Sequence, residues 1–319
     1  MTIPARAHFC WIGTRLPWAC AFAVLSAASR SELPEIVLHH TDELDEDAAL
    51  AALKKTPQVR LSRVDPLAYL LEAGQKLGIE DGLTVIYRRL ANPAAQSDVL
   101  RAAFLYLEGG IYLDMDTMTT NSLLPLLNAR QFVGCGFIIW PHSARTSRSP
   151  VMWARSLTLD LVRKMMRHTP HGWRMFRLIE HFCYRGINGA VMGAEAISPL
   201  LEAYLRAMLA VPPECQNQPY ALGPDLLQKV IDRYVRDDLT IHEPHVFYPL
   251  PPEISEHWFR LGRNIRLDAV LSAETRVVHW YASVRTKSRV ALIDPDYVRN
   301  HRESQLYSAL AWECIGDLP

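Results

Sequence analysis

The sequence predicts an open α/β domain in which a mostly parallel sheet is covered by helices. Strand-like and helix-like segments alternate through the first 64 residues, and no internal repeat interrupts the chain. Hydrophobic residues make up 49% of the 319 residues, enough to bury a sizeable core. We therefore expect one domain over residues 1–319, with a helical insertion at about 140–185.

Short apolar or alternating runs bounded by turn residues predict the first strands, and helix-length segments separate them. This β-α-β-α-β order favours parallel pairing through right-handed crossovers. The expected strands are 7–12, 35–40, 58–64, 111–113, 187–192, 239–248 and 276–281. The expected helices are 16–29, 45–55, 94–108, 199–209, 225–235 and 295–312.

Residues 140–185 differ in character from the rest of the chain. They contain nine Lys or Arg residues against only Asp160 and Glu180, with Trp and Met interleaved. This pattern predicts one or two amphipathic helices. They would form either a solvated lobe or a platform for an anionic or membrane-bound substrate.

Charge and cysteine usage restrict the protein class. The formal net charge is zero, so no general basic field indicates nucleic-acid binding. The six cysteines form no CxxC pair and are expected to be buried free thiols in a reducing compartment. The apolar segment Trp18–Ala28 is too short to span a bilayer. We expect a cytoplasmic protein, with peripheral membrane association through the basic insertion and export as an effector both left open.

Two aspartates stand one residue apart in Gly109–Thr120, which reads GGIYLDMDTMTT. They follow a short buried strand, and ligands bind at the carboxyl ends of strands in open α/β sheets. Bare carboxylates at this spacing repel, whereas a hard divalent cation would bridge them to substrate phosphates. Asp114 and Asp116 therefore suit a metal–diphosphate site, although a phosphohydrolase or a polar turn remains open. In the preceding helix, Asp98 and Arg101 share a face.

Four segments in order carry a family resemblance. They read FCWIG from residue 9, DVLR at 98 with GGIYLDMDT at 109, INGAVMGA from 187, and VHWYAS from 278. Together they resemble the DXD-motif glycosyltransferases of the family 32 type. That group includes Och1-type mannosyltransferases, α-1,4-galactosyl- and N-acetylglucosaminyltransferases, bacterial capsule and lipopolysaccharide enzymes and, more distantly, the large clostridial glucosylating toxins.

The resemblance implies a GT-A fold, with a mixed, mostly parallel sheet, flanking helices and a helical insertion. It implies a retaining hexosyl- or N-acetylhexosaminyltransferase that uses a nucleotide-sugar, expected to be a UDP-sugar, and Mn²⁺ or Mg²⁺. The acceptor would be a polysaccharide, a lipid-linked glycan or a protein.

The resemblance also assigns catalytic and metal-binding roles. Asp116 would bind the metal directly, and Asp114 would bind sugar or ribose hydroxyls and reach the metal through water. His279 would be a further ligand of the metal or the diphosphate. Asp98 and Arg101 would contact the donor sugar, with Arg101 close to the diphosphate.

The remaining roles concern donor and acceptor binding. Trp11 would stack on the base, and Tyr112 would line the donor pocket. Asn188 and Gly189 would line the acceptor-facing side of the sugar pocket, and Ser283 would contact the diphosphate.

One departure from the family pattern lies near the last motif. Many relatives have a tryptophan just after the terminal serine, where this chain has Val284 and Arg285. Arg285 or Lys287 could supply the phosphate-binding charge instead. Two alternatives remain. One is a degenerate nucleotide-sugar-binding protein; the other is a haloacid-dehalogenase-like phosphohydrolase, which Met118 disfavours because that motif needs Thr or Val there.

Overall fold

The structure, a computed structural model, describes residues 2–263, 265–282 and 286–316. In these ranges, nine strands are present: β1 (Arg6–Trp11), β2 (Glu35–His40), β3 (Val59–Arg63), β4 (Gly110–Leu113), β5 (Thr117–Thr119), β6 (Gln131–Ile138), β7 (Tyr184–Ala194), β8 (Leu239–His242) and β9 (Val277–His279).

Seven of these strands form the central sheet, in the order β3-β2-β1-β4-β7-β6-β8. Strand β7 is antiparallel to both of its neighbours, and all other neighbouring pairs are parallel. Strands β5 and β9 pair separately as a two-stranded antiparallel ribbon. The predicted α/β class with a mixed, mostly parallel sheet is confirmed, in the arrangement that the GT-A resemblance implied.

Helices cover both faces of the sheet. They are α1 (Trp18–Arg30), α2 (Ala48–Lys54), α3 (Pro66–Leu77), α4 (Gly82–Arg89), α5 (Pro93–Glu108), α6 (His142–Thr146), α7 (Pro150–Met166), α8 (Gly172–Arg177), α9 (Pro199–Leu209), α10 (Pro224–Ile231), α11 (Pro244–Phe247), α12 (Lys287–Val290), α13 (Pro295–His301) and α14 (Leu306–Ile315).

Helix α5 shows why the local sequence folds as it does. The Asn92 side chain accepts a hydrogen bond from the Ala94 amide, and Pro93 occupies the first helical position. Gly109 ends the helix with a φ of 63°, a conformation that glycine adopts at little cost. Strand β4 follows directly, so the helix predicted at 94–108 delivers the chain to the strand that carries the two aspartates.

The core consists of two hydrophobic layers, one on each face of the sheet. Alternation along β4 sends Ile111 and Leu113 into one layer and Tyr112 into the other. A polar pair also lies under α5. His8 Nδ1 and His39 Nε2 are 2.9 Å apart, and His8 Nε2 lies 2.8 Å from the Gly109 carbonyl oxygen. Both rings are buried.

Several sequence expectations need correction. The strand predicted over 239–248 ends at His242, because Pro244 begins helix α11. The helix predicted over 295–312 is two helices, α13 and α14. The break is fixed by Gln305, whose side chain donates to the Phe259 carbonyl. Helices α3 and α4 and strands β5 and β6 were not predicted.

The helices expected in the basic segment are present. Helices α7 and α8 lie in the basic segment between β6 and β7. All six cysteines are free, and all but Cys215 are buried. Among the described helices, none is both long and apolar enough to cross a bilayer.

Candidate functional site

A tight turn after β4 brings the two aspartates to the carboxyl end of the sheet. The amide and the hydroxyl of Thr117 both donate hydrogen bonds to the Asp114 carbonyl oxygen, at 3.1 and 2.7 Å. The chain reverses over Asp114–Asp116 and continues as β5. The carboxylates therefore converge through a turn at the strand end, as the sequence suggested.

Strand β9 delivers the third member of the cluster. Thr117 of β5 pairs with His279 of β9, which sets the imidazole beside Asp116. His279 Nε2 lies 2.9 Å from Asp116 Oδ1, and the Ala282 amide donates to Asp116 Oδ2 at 2.8 Å. One ligand atom from each of Asp114, Asp116 and His279 lies within 4.8 Å of the others. The structure thus brings together the predicted metal ligands.

The pKa values of the two carboxyl groups are shifted in opposite directions. Burial raises the pKa of Asp114 above its usual value, against the attraction of Arg101. Burial acts in the same direction on Asp116. There the attraction and hydrogen bond of His279, together with the Ala282 amide, outweigh it and lower the pKa. Asp116 is therefore the more firmly ionised carboxylate of the pair.

Arg101 is the buried cation that connects three parts of the site. Its side chain is 9% exposed, with Nη2 2.7 Å from Asp98 Oδ1 and Nη1 3.4 Å from Asp114 Oδ1. Nη1 also donates to the Gly189 carbonyl oxygen at 2.7 Å. Its guanidinium lies over the Tyr112 ring, 5.0 Å from the centroid. The predicted pairing of Asp98 with Arg101 is present, and it extends to the DXD turn.

Asp98 lies against the start of helix α10. Burial raises the pKa of its carboxyl to about 6, even though Arg101 pulls in the other direction. A Cβ atom on Gly223 would lie 2.6 Å from Asp98 Oδ2, so only glycine permits this approach. The sequence analysis missed Gly223. The available signal was a Gly-Pro dipeptide at a helix start.

A bulge in β7 places the predicted sugar-pocket residues. Val133 pairs with Met192 and the next residue, Gly134, with Asn188, so β7 has extra residues between them. Bulges of this kind re-aim the backbone next to functional sites. Gly189 turns its carbonyl to Arg101, and the Asn188 side chain accepts from the Ala190 amide at 2.9 Å.

Trp11 and Tyr112 differ in accessibility. Trp11 ends β1 at the same edge of the sheet as the aspartates and is partly buried. Tyr112 is 1% exposed, and its hydroxyl lies 3.1 Å from Ser97 Oγ. The Tyr112 ring packs against the Arg101 guanidinium. Contact between Tyr112 and a donor stays a prediction.

Three of the predicted site residues each have a buried side-chain nitrogen without a hydrogen-bond partner among the described residues. They are Trp11 Nε1, Arg101 Nε and His279 Nδ1. Buried polar atoms are almost always paired in folded proteins.

Two expectations fall partly outside the described residues. Ser283 and Arg285 lie there, so the structure does not test them. Lys287 is described, and it is exposed at the start of α12.

The donor set fits a hard divalent cation. Two carboxylates and one imidazole suit Mn²⁺ or Mg²⁺, which leave their other positions to water and phosphate oxygens. The mostly buried carboxylates, with His279 Nε2 2.9 Å from Asp116 Oδ1, agree with such an ion. Residues Asp114, Asp116 and His279 would hold it.

The segment that contains the two aspartates is similar to a known protein family. Residues 42–133 match the family described as "Glycosyltransferase sugar-binding region containing DXD motif". The matched stretch contains Asp98, Arg101, Asp114 and Asp116. This segment is therefore similar to the sugar-binding region of DXD-motif glycosyltransferases. The resemblance drawn from the sequence is therefore confirmed for the part of the chain that bears the two aspartates.

Three solved structures that are similar to this chain have glycosyltransferase names. The PaToxG glycosyltransferase is 15% identical, with a TM-score of 0.43 over 73% of this chain and 70% of that chain. Mouse xyloside xylosyltransferase 1 is 14% identical, with a TM-score of 0.43 over 86% and 97%. The galactosyltransferase LgtC, in complex with donor and acceptor sugar analogs, is 13% identical, with a TM-score of 0.40 over 92% and 99%. No curated protein sequence matches the chain.

Proposed function

We propose that this protein is a metal-dependent glycosyltransferase that uses a UDP-sugar and retains the anomeric configuration. The transferred group would be a hexosyl or N-acetylhexosaminyl unit. One observation supports this most strongly: Asp114, Asp116 and His279 converge within 4.8 Å at the end of the DXD strand. Arg101 stands beside them, 3.4 Å from Asp114.

The reaction needs charge stabilisation at the leaving diphosphate. A bound Mn²⁺ or Mg²⁺ would supply Lewis-acid stabilisation of the departing β-phosphate. Asp116 and His279 would hold the ion, with Asp114 reaching it through water. Arg101 would add a preorganised positive charge in a buried setting, where such charge is most effective.

The donor would be oriented by groups that the fold already fixes. Asp98, Arg101 and Asp114 would hold the sugar hydroxyls, and Trp11 would stack on the base. Asn188 and Gly189 would face the acceptor, for which we propose a polysaccharide, a lipid-linked glycan or a protein. Ser283 remains a candidate contact to the diphosphate.

Retention of configuration is proposed to proceed by front-face attack of the acceptor. The three site carboxylates are already engaged: Asp98 and Asp114 with Arg101, and Asp116 with His279. None of them is poised as a free nucleophile. Trapping a stable covalent glycosyl–enzyme adduct on one of them in a single turnover would contradict this mechanism.

A donor-hydrolysis screen tests the proposal. UDP-glucose, UDP-galactose, UDP-N-acetylglucosamine and GDP-mannose would be incubated with Mn²⁺ and wild-type protein, Asp116→Ala or Asp237→Ala. Asp237 is an exposed carboxylate far along the chain from the DXD turn, which makes it a matched control. We expect turnover of one donor by wild type and by the control, and a loss of about 100-fold or more in Asp116→Ala.

The alternatives give different results in the same experiment. Thermal stabilisation by UDP and Mn²⁺ without turnover of any donor would indicate a binding protein that has lost activity. Turnover of a generic aryl phosphate in place of the donors would indicate a phosphohydrolase. Equal donor turnover by Asp116→Ala and wild type would contradict the assigned metal site.

A further inference from the structure

Exposed hydrophobic side chains are concentrated in the helical insertion. Of 16 large hydrophobic residues that are exposed in the described part of the chain, eight fall between residues 151 and 182. That stretch is about a tenth of the sequence, so scattered surface exposure does not account for the concentration. The eight residues are Val151, Trp153, Leu157, Leu161, Met165, Met175, Leu178 and Phe182.

Four of them form one stripe along α7. Trp153, Leu157, Leu161 and Met165 follow each other at intervals of four residues and are 48%, 52%, 54% and 72% exposed. This spacing aligns side chains on one helix face over about 18 Å. The opposite face of α7 packs inward through Ser156, Leu159 and Arg163. The stripe is therefore a solvent-facing apolar surface on a helix that is already anchored to the fold.

Three further exposed hydrophobic side chains lie on elements that contact α7. Arg155 of α7 donates to the Phe182 carbonyl oxygen at 2.6 Å, which holds exposed Phe182 beside the helix. Helix α8 packs on α7 and exposes Met175 at 52% and Leu178 at 74%. We call the four side chains of the α7 stripe the apolar face of the insertion.

The helical insertion carries more basic than acidic residues. The nine basic residues of segment 140–185 exceed its two acidic residues by seven, whereas the whole chain is neutral. Arg148 and Arg174 are exposed and have no acidic partner among the described residues. Asp160 is already bound by Arg163 and Lys164. Five of the nine basic side chains are ion-paired, four of them with acidic residues outside the segment, so Arg148 and Arg174 are left as exposed cations with uncompensated charge.

We propose that the apolar face of the insertion docks onto an anionic lipid surface. An apolar helix face with basic flanks is the arrangement that lies in a membrane interface, where anionic headgroups attract the basic side chains. Self-association through this face is disfavoured, because a symmetric dimer would bring two cationic insertions together.

The chain path connects this docking surface to the sugar-binding site. The insertion leads into β7, and Asn188 is the sixth residue after Phe182. Six extended residues span about 20 Å. A lipid-linked acceptor presented at the membrane would therefore lie within reach of the site proposed above. The docking itself does not depend on the proposed activity.

Vesicle co-sedimentation of the full chain tests the docking. Vesicles of phosphatidylcholine alone are compared with vesicles containing phosphatidylglycerol at about one-third of the lipid. One variant combines Leu157→Ser, Leu161→Ser and Met165→Ser. Its matched control combines Val235→Ser, Leu261→Ser and Leu292→Ser, at positions that are 94%, 64% and 58% exposed elsewhere.

We expect wild type and the control to sediment with the anionic vesicles, and the face variant to partition at least about ten-fold less. The pair Arg148→Gln and Arg174→Gln should lose the preference for anionic over neutral vesicles. Thermal melting of each variant checks that the fold is kept. No sedimentation of wild type, or equal sedimentation of the face variant, would overturn the proposal. So would a wild-type dimer that the face variant converts to monomer in light scattering.

Discussion

Replacing Asp98 by asparagine should make the protein more stable and a poorer enzyme. Asp98 is buried, and its pKa is raised from 3.8 to about 6 despite the nearby Arg101. A folded-state pKa above the unfolded value means that the native protein prefers the protonated carboxyl. At pH 7.5 the ionised side chain therefore costs about 3 kcal/mol relative to a neutral one. Asparagine has the same shape without the charge.

The sign of this effect depends on pH. Above about pH 6, wild-type Asp98 is ionised in both states, and Asp98→Asn should be more stable by up to about 3 kcal/mol. As the pH falls towards 3.8, wild-type Asp98 takes up a proton in the folded state and the advantage of the variant disappears. For a chain of this length, about 3 kcal/mol corresponds to a rise in Tm of about 5 °C.

Urea unfolding of wild type and Asp98→Asn at pH 7.5 and pH 4.5 measures this difference, with Asp237→Asn as the exposed control. Donor hydrolysis measured in parallel should fall about 10- to 100-fold, because a charged hydrogen bond to the sugar is lost. A variant that is no more stable than wild type at pH 7.5, or equally stabilised at both pH values, would refute the reasoning.

Two further predictions concern a close approach and a buried histidine. Gly223→Ala should displace the Asp98 side chain, because the alanine Cβ would lie 2.6 Å from Asp98 Oδ2. We expect the free energy of unfolding to fall by about 1–3 kcal/mol and the KM for the donor to rise. Gly136→Ala, whose Cβ would meet nothing nearer than 3.7 Å, is the control, and equal urea midpoints for the two would contradict the steric argument. Burial lowers the pKa of His39 to about 2, so the folded protein keeps it neutral. Below about pH 6.5 the unfolded chain takes up this proton, and stability should fall by about 1.4 kcal/mol per pH unit. His39→Gln should flatten that slope in urea titrations between pH 7.5 and 5.5, and an unchanged slope would be inconsistent with a neutral His39.

Local signals in the sequence predicted the early elements well. Strand β2 and helix α9 have the predicted bounds, because Pro34 precedes the one and a Ser-Pro start opens the other. Strand β5 has only three residues, and its partner β9 lies far away in sequence. No local pattern specifies such a pairing, so β5 was missed.

Some features of the candidate site could be predicted from local sequence, and others depend on contacts between distant segments. The ion pair between Asp98 and Arg101 follows from helical spacing and could be read directly. The convergence of Asp116 with His279 came from the family resemblance, since it depends on a ribbon that joins distant segments. The burial of Tyr112 and the tight fit of Gly223 depend on packing between α5, α9 and α10, which a single sequence does not express.

The β5–β9 ribbon also has a consequence for protein synthesis. Asp116 and His279 are 163 residues apart. At about 5–20 residues per second, a ribosome needs about 10–30 s to make the stretch between them. During that interval the growing chain displays two carboxylates without the imidazole that completes their cluster. The complete ligand set for the divalent cation proposed above would therefore form only late in synthesis, and a nascent chain stalled before His279 should bind that cation poorly.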